Sequence, residues 1–215
     1  MAITEAETLE LYRSSLVNAE SQPVIMGILS EVGYGPEAIT QGKAILAEAR
    51  QAYTSNQTEN DEYFAAYNAF SNKREQLFDM YAADRRKAKV IFRNDQVVAE
   101  RLGIRGNIPR TYMNWLETAR KFYTASLADQ IILAELAKFK ITAEHLTQAN
   151  TMITELEAMR DVYLREKGES QDATKLKDAA FTRIDEWMRD FYAVAKIALE
   201  ERPQLVESLG KLVRS

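Results

Sequence analysis

The chain has 215 residues, 28 of them basic and 32 acidic, for a formal net charge of −4. It carries no cysteine, one histidine, eight glycines and four prolines. That composition excludes disulfides, thiolate nucleophiles and cysteine-held zinc or iron–sulfur sites, and one histidine excludes two-histidine metal motifs.

Glycine and proline together are about half as frequent as in an average protein, so a few long helices are expected. Apolar residues recur at three- and four-residue steps and nowhere alternate with period two, which predicts an all-α chain without a sheet. In chain order the predicted helices cover 4–32, 36–57, 60–101, 110–139, 142–167 and 171–201, with a short C-terminal piece from Pro203. Pro23 either kinks the first helix or sits at N1 of its second piece. Gly33 and Gly35 can close a helix in the left-handed region, and Pro36 can open the next. Gly103 follows Leu102 as a C-cap glycine, and Ile104 to Pro109 form a short connection before Thr111. Thr142, followed by Glu144, reads as an N-cap with an acidic first turn. Gly168 with Glu169, Ser170 and Gln171 predicts a hairpin turn.

The acidic start lacks the basic region of a signal peptide, and no apolar run approaches the roughly 20 residues of a membrane span. A cytoplasmic protein with no membrane span is expected. Mild acidity argues against general nucleic-acid binding, which needs a basic footprint.

The chain also aligns with itself, without gaps, when Met1 is set on Ile108 and the rest follows in step. Thr40-Gln41 falls on Thr147-Gln148, Ala88-Lys89 on Ala195-Lys196, and Leu102-Gly103 on Leu209-Gly210. The two stretches share 18 identities, where chance pairing gives roughly 7. The expected architecture is six long helices arranged as two tandem, pseudo-repeated three-helix bundles, residues 1–107 and 108–215. A single multi-helix bundle with a four-helix core is the alternative.

Few residues suggest chemistry. His145 lies in the first turn of a helix, and its partner in the self-alignment is Ala38. A surface histidine that the fold does not need is expected. Arg85, Lys89 and Arg93 lie four apart on one helix stripe, and none has an acid four positions earlier. They are candidates for binding an anion or an acidic partner, against the plainer reading of a solvated charged face. Asp84 falls on Phe191 of the apolar stripe; it is expected at the stripe's edge, and an inward Asp84 would need a buried partner. Tyr53, Tyr63, Phe64, Tyr67 and Phe70 read most simply as core.

The segment Trp187-Met188-x-x-Phe191, Ala195-Lys196-x-Ala198-Leu199 and Pro203-Gln204-Leu205-Val206-Glu207-x-Leu209-Gly210 resembles the ending of an uncharacterised family of bacterial all-helical proteins. Arg105-Gly106 after Leu102-Gly103, and Phe122-Tyr123, are similar to the same family. These are aromatic, helix-end and loop residues, so the resemblance implies a helical fold and no activity, ligand or catalytic residue.

The leading expectation is a non-enzymatic helical interaction or scaffold protein, with a protein partner or a second copy of itself as its ligand. A spare apolar stripe on one helix would supply the interface. The second expectation is a small-ligand or anion-binding protein, with a pocket between the two helical units or beside Arg85, Lys89 and Arg93. An enzyme relying on carboxylates, tyrosine and lysine ranks third. No catalytic residue, metal ligand or cofactor is expected.

Overall fold

The computed structural model describes residues 3–210, which form eight α-helices and no strand. The helices are α1 (Glu5–Ser21), α2 (Pro23–Glu31), α3 (Pro36–Ile91), α4 (Gln96–Arg101), α5 (Tyr112–Ala128), α6 (Gln130–Ala137), α7 (Ala143–Ala198) and α8 (Pro203–Ser208). Each of the last four begins where the self-alignment places the start of its counterpart: Tyr112 for Glu5, Gln130 for Pro23, Ala143 for Pro36 and Pro203 for Gln96.

Local chemistry accounts for most boundaries. Thr4 caps α1 through a capping box: its hydroxyl accepts from the Glu7 amide, and the Glu7 carboxylate accepts from the Thr4 amide at 2.7 Å. Pro23 stands at N1 of α2, where its missing N–H costs nothing. Gly33 closes α2 at φ +89°, and Pro36 opens α3. Thr142 accepts from the His145 amide at the start of α7, as a capping threonine does. Pro203 begins α8.

The expectation of six helices is corrected in three ways. The predicted breaks near 57–60 and at Gly168 are absent, because α3 and α7 each run unbroken for 56 residues. No proline lies between 37 and 108 or between 110 and 202. A lone glycine costs about 1 kcal/mol in a helix interior, too little to break one this long. The polar run near Thr54 folds its hydroxyls back onto the helix, with Thr54 donating to the Arg50 carbonyl and Thr58 to the Thr54 carbonyl. Conversely, the predicted helix 110–139 divides at Asp129, whose carboxylate accepts from the amides of Ile131 and Ile132 and so restarts the helix as α6. The predicted helix 60–101 divides after Ile91, where Asp95 caps α4 by accepting from the Val98 amide.

The chain forms two compact units, cut differently from its sequence halves. Among the described residues, one comprises those up to Asp61 together with those from Gly168 onward; the other is Glu62–Lys167. Each therefore joins the beginning of one self-aligned stretch to the end of the other. We call them the terminal unit and the central unit. α3 and α7 each give one part to each unit.

Each unit has its own core. The terminal unit buries Leu9, Leu16, Ile25, Leu29, Ile184, Met188, Phe191 and Leu209, among others. The central unit buries Leu77, Tyr81, Trp115, Leu116, Phe122, Tyr123, Leu136 and Ile153, among others. Within the terminal unit, Gly42 lies flat against Trp187, so that a methyl group there would overlap the indole ring.

Candidate functional site

The polar and aromatic groups singled out in the sequence come together almost entirely in the central unit. Asp84 lies on α3 in register with Leu77, Tyr81 and Ala88, at helical steps of three and four. It therefore points into the core and not to the stripe's edge, and only 2% of its side chain is exposed. Its carboxylate accepts from Nε2 of His145 at 2.6 Å and from the Tyr123 hydroxyl at 3.2 Å. Lys87 Nζ stands 3.9 Å from the other carboxylate oxygen. Burial, and then the Asp84 charge, push the Tyr123 hydroxyl far above the usual phenol range, so it stays a donor.

His145 is consequently no free surface residue. Its side chain is 30% exposed, and it joins the start of α7 to the buried carboxylate on α3 and the phenol on α5. This corrects the expectation of a plain surface histidine. A carboxylate so enclosed has no room to touch a ligand, so the Asp84–His145–Tyr123 group fastens three helices.

The basic stripe divides. Arg85 is buried, and its guanidinium donates to the carbonyls of Arg105 (3.0 Å) and Gly106 (3.1 Å). Lys89 donates to the same Gly106 carbonyl at 2.7 Å. Both residues thus hold the connection between α4 and α5, where Gly106 takes φ +66°. Partial burial, and then the nearby Arg85 charge, hold the Lys89 ammonium below the usual lysine range. Arg93 is exposed beyond the end of α3.

The aromatic group is corrected more sharply. Tyr53 belongs to the terminal unit, where it meets Phe181. The others continue into a chain of ring contacts in the central unit: Phe64 to Tyr63, Tyr63 to Tyr67, Tyr67 to Tyr163, and Tyr163 to Phe70. Contacts from Phe70 to Tyr112, Tyr112 to Trp115, and Trp115 to Phe78 complete it. All centroid separations in this chain lie between 5.1 and 6.4 Å, the range in which rings attract. Phe70 and Trp115 are buried, whereas Phe64 is 58%, Tyr67 43% and Phe78 38% exposed. Helical periodicity shows that these side chains share a face; it does not show whether anything covers that face.

A groove of about 530 Å³ opens beside the Phe78 end of this chain. Phe78, Tyr112 and Trp115 line its aromatic side, Ile108 and Pro109 its aliphatic side, and Arg74 and Arg110 its rim. Its size is that of an ordinary small-ligand or side-chain pocket.

No family model matches this chain, and neither a curated protein nor a solved structure is similar to it. No described helix is long and apolar enough to cross a membrane. The functional reading therefore rests on the residues themselves.

Proposed function

We propose that this chain is a cytoplasmic, non-enzymatic interaction protein that binds another polypeptide through the central unit. The observation that supports this reading is the exposed aromatic face of α3. Phe64, Tyr67 and Phe78 present large apolar surface to solvent, each ring touching a neighbouring ring. Rigid aromatic side chains make strong interface anchors because little conformational freedom remains to be lost on binding. Exposed apolar patches of this kind mark interaction sites more often than chance. A small-anion role for Arg85 and Lys89 is the weaker reading, since loop carbonyls already accept from both.

The test compares the wild-type protein with Phe64→Glu and Tyr67→Glu, all immobilised, in retention of polypeptides from a cell extract, alongside solution mass by light scattering. Retention or self-association that both substitutions reduce at least tenfold is expected. A wild-type protein that stays monomeric and retains nothing the variants lose would overturn the reading.

A further inference from the structure

The exposed aromatic residues have a spacing that names their partner. At 100° per residue, Phe64, Tyr67, Ser71, Arg74, Glu75 and Phe78 fall in a sector of about 100° on α3. Phe64 and Phe78 are 14 positions apart, about 21 Å along the helix, with Ser71 midway. Phe64 is the most exposed ring of the stripe, and the groove opens at Phe78. One face thus carries both a knob and a hole, equally far from a small residue.

Resting on the interaction reading above, we infer that the partner is a second copy of this chain, paired antiparallel through α3 about a two-fold axis at Ser71. In a two-fold interface the same patch serves both copies, and each contact occurs twice. Antiparallel pairing about Ser71 sets Phe64 of each copy over the Phe78 groove of the other. It also sets Tyr67 beside Arg74 on one side of the seam, and Asn68 beside Glu75 on the other. A phenol then lies beside a guanidinium and a carboxamide beside a carboxylate, so neither pair sets like charges together. Neither Arg74 nor Glu75 forms an ion pair among the described residues, so both are available to a partner. Ser71, small and half-buried, lets the two helices approach at the axis. Arg110, at the rim of the groove, adds a second cation beside the incoming Phe64 ring.

Paired helices of about 21 Å bury an area at the low end of specific interfaces. A reversible dimer, with a dissociation constant of about micromolar or weaker, is therefore expected.

The chain has no cysteine, so a single introduced cysteine can form a disulfide only with another copy. Ser71→Cys brings two thiols together at the axis, within the roughly 4.4–6.8 Å Cα separation that a disulfide spans. Gln76→Cys, exposed and about 140° around the same helix, serves as the control. Under mild oxidation the Ser71→Cys protein should accumulate a cross-linked dimer at least tenfold faster than the Gln76→Cys protein. Adding Phe64→Glu should slow that cross-linking at least tenfold. Further addition of Phe78→Lys should restore it, because the register sets the new acid of each copy against the new base of the other. Helical circular dichroism checks that each variant stays folded. Cross-linking at Ser71 no faster than at Gln76, or a failure of the charge pair to rescue, overturns the second-copy proposal. Partner retention that still depends on Phe64 would in that event uphold the broader interaction reading, so the two fail separately.

Discussion

The terminal and central units start their helices at matching positions and differ in what those helices enclose. In the terminal unit Asn56 donates to Thr174 at 3.0 Å, and Lys177 pairs with Glu5. The positions matched to these by the self-alignment hold Tyr163 against Tyr67 and Phe70 against Tyr112. The same pairs of positions meet in both units; a hydrogen bond and an ion pair in one are ring contacts in the other. Deeper in, the exchange reverses. The central unit joins buried Asp84 and Tyr123 to half-buried His145 where the terminal unit has Phe191, Leu16 and Ala38. Helix ends are set by capping and backbone conformation, which the two units largely share. Core chemistry is free to change as long as each pair of neighbours changes together.

The largest effect should come from breaking one member of such a set. Asp84→Ala leaves the Tyr123 hydroxyl and the His145 ring without their acceptor inside the central unit. It should cost about 2–4 kcal/mol, read as a lower midpoint in urea unfolding. The combined variant Asp84→Phe, His145→Ala and Tyr123→Leu imports the terminal unit's apolar set at nearly constant total volume. It should recover most of that loss. If the triple variant is no more stable than the single one, the two cores are not exchangeable and the comparison fails.

A second exchange involves shape. Gly42 lies under Trp187 in the terminal unit, whereas the matching positions are Ala149, fully buried, and Met80. Gly42→Ala drives a methyl into the indole and should destabilise by about 1–3 kcal/mol. Adding Trp187→Met should relieve much of the strain. Thermal unfolding of the single and double variants measures the coupling between the two sites.

How much of this was legible in the sequence depends on whether the determinant is local. Pro36 and Pro203 restrict their own backbone, Gly33 and Gly103 admit the left-handed one, and the boundaries they predict are where the structure has them. Asp95 and Asp129 are local determinants too, but a capping aspartate resembles an ordinary surface aspartate until its amide partners are known. Gly168 misled, since a glycine permits a turn without enforcing one. Asp84 could be placed on the apolar stripe by its spacing from Tyr81 and Ala88. Its partners could not, because they come from α5 and α7, at sequence separations of 39 and 61. The self-alignment matched the helix starts yet not the compact units, since contact between the start of one stretch and the end of the other leaves no trace in either alone.

A smaller effect separates the two helix restarts. Asp129 caps α6 and pairs with Arg101 at 2.6 Å, whereas its counterpart Gln22 makes no side-chain capping bond. The amides of Ile132 and Ile131, together with Arg101, hold the Asp129 carboxyl below its usual value. The folded state therefore favours the ionised form. The resulting stability is present above the unfolded-state value and is lost as pH falls through the lower, folded value. Asp129→Asn keeps a capping oxygen and removes the charge. It should lower Tm by about 2–4 °C near neutral pH. The difference from wild type should shrink as pH falls below about 4. A gap that stays constant with pH would assign the effect to the cap alone.

The smallest predicted change runs in the stabilising direction. Gly33 and Lys140 match in the self-alignment, each just past a helix end, at φ +89° and +64°. The Lys140 amide donates to the Ala137 carbonyl at 3.0 Å, so the left-handed turn there is a formed helix terminus. A non-glycine residue loses about 1–2 kcal/mol in that conformation, because its Cβ crowds the following carbonyl. Glycine removes the crowding but widens the unfolded ensemble, which returns about 0.4–1 kcal/mol. Lys140→Gly should therefore stabilise the protein by about 0.5–1 kcal/mol, and Gly33→Ala should destabilise it by a similar amount. Urea midpoints of the two variants test both signs at once. Equal signs would mean that the two turns, though matched in position and in φ, are held by different forces.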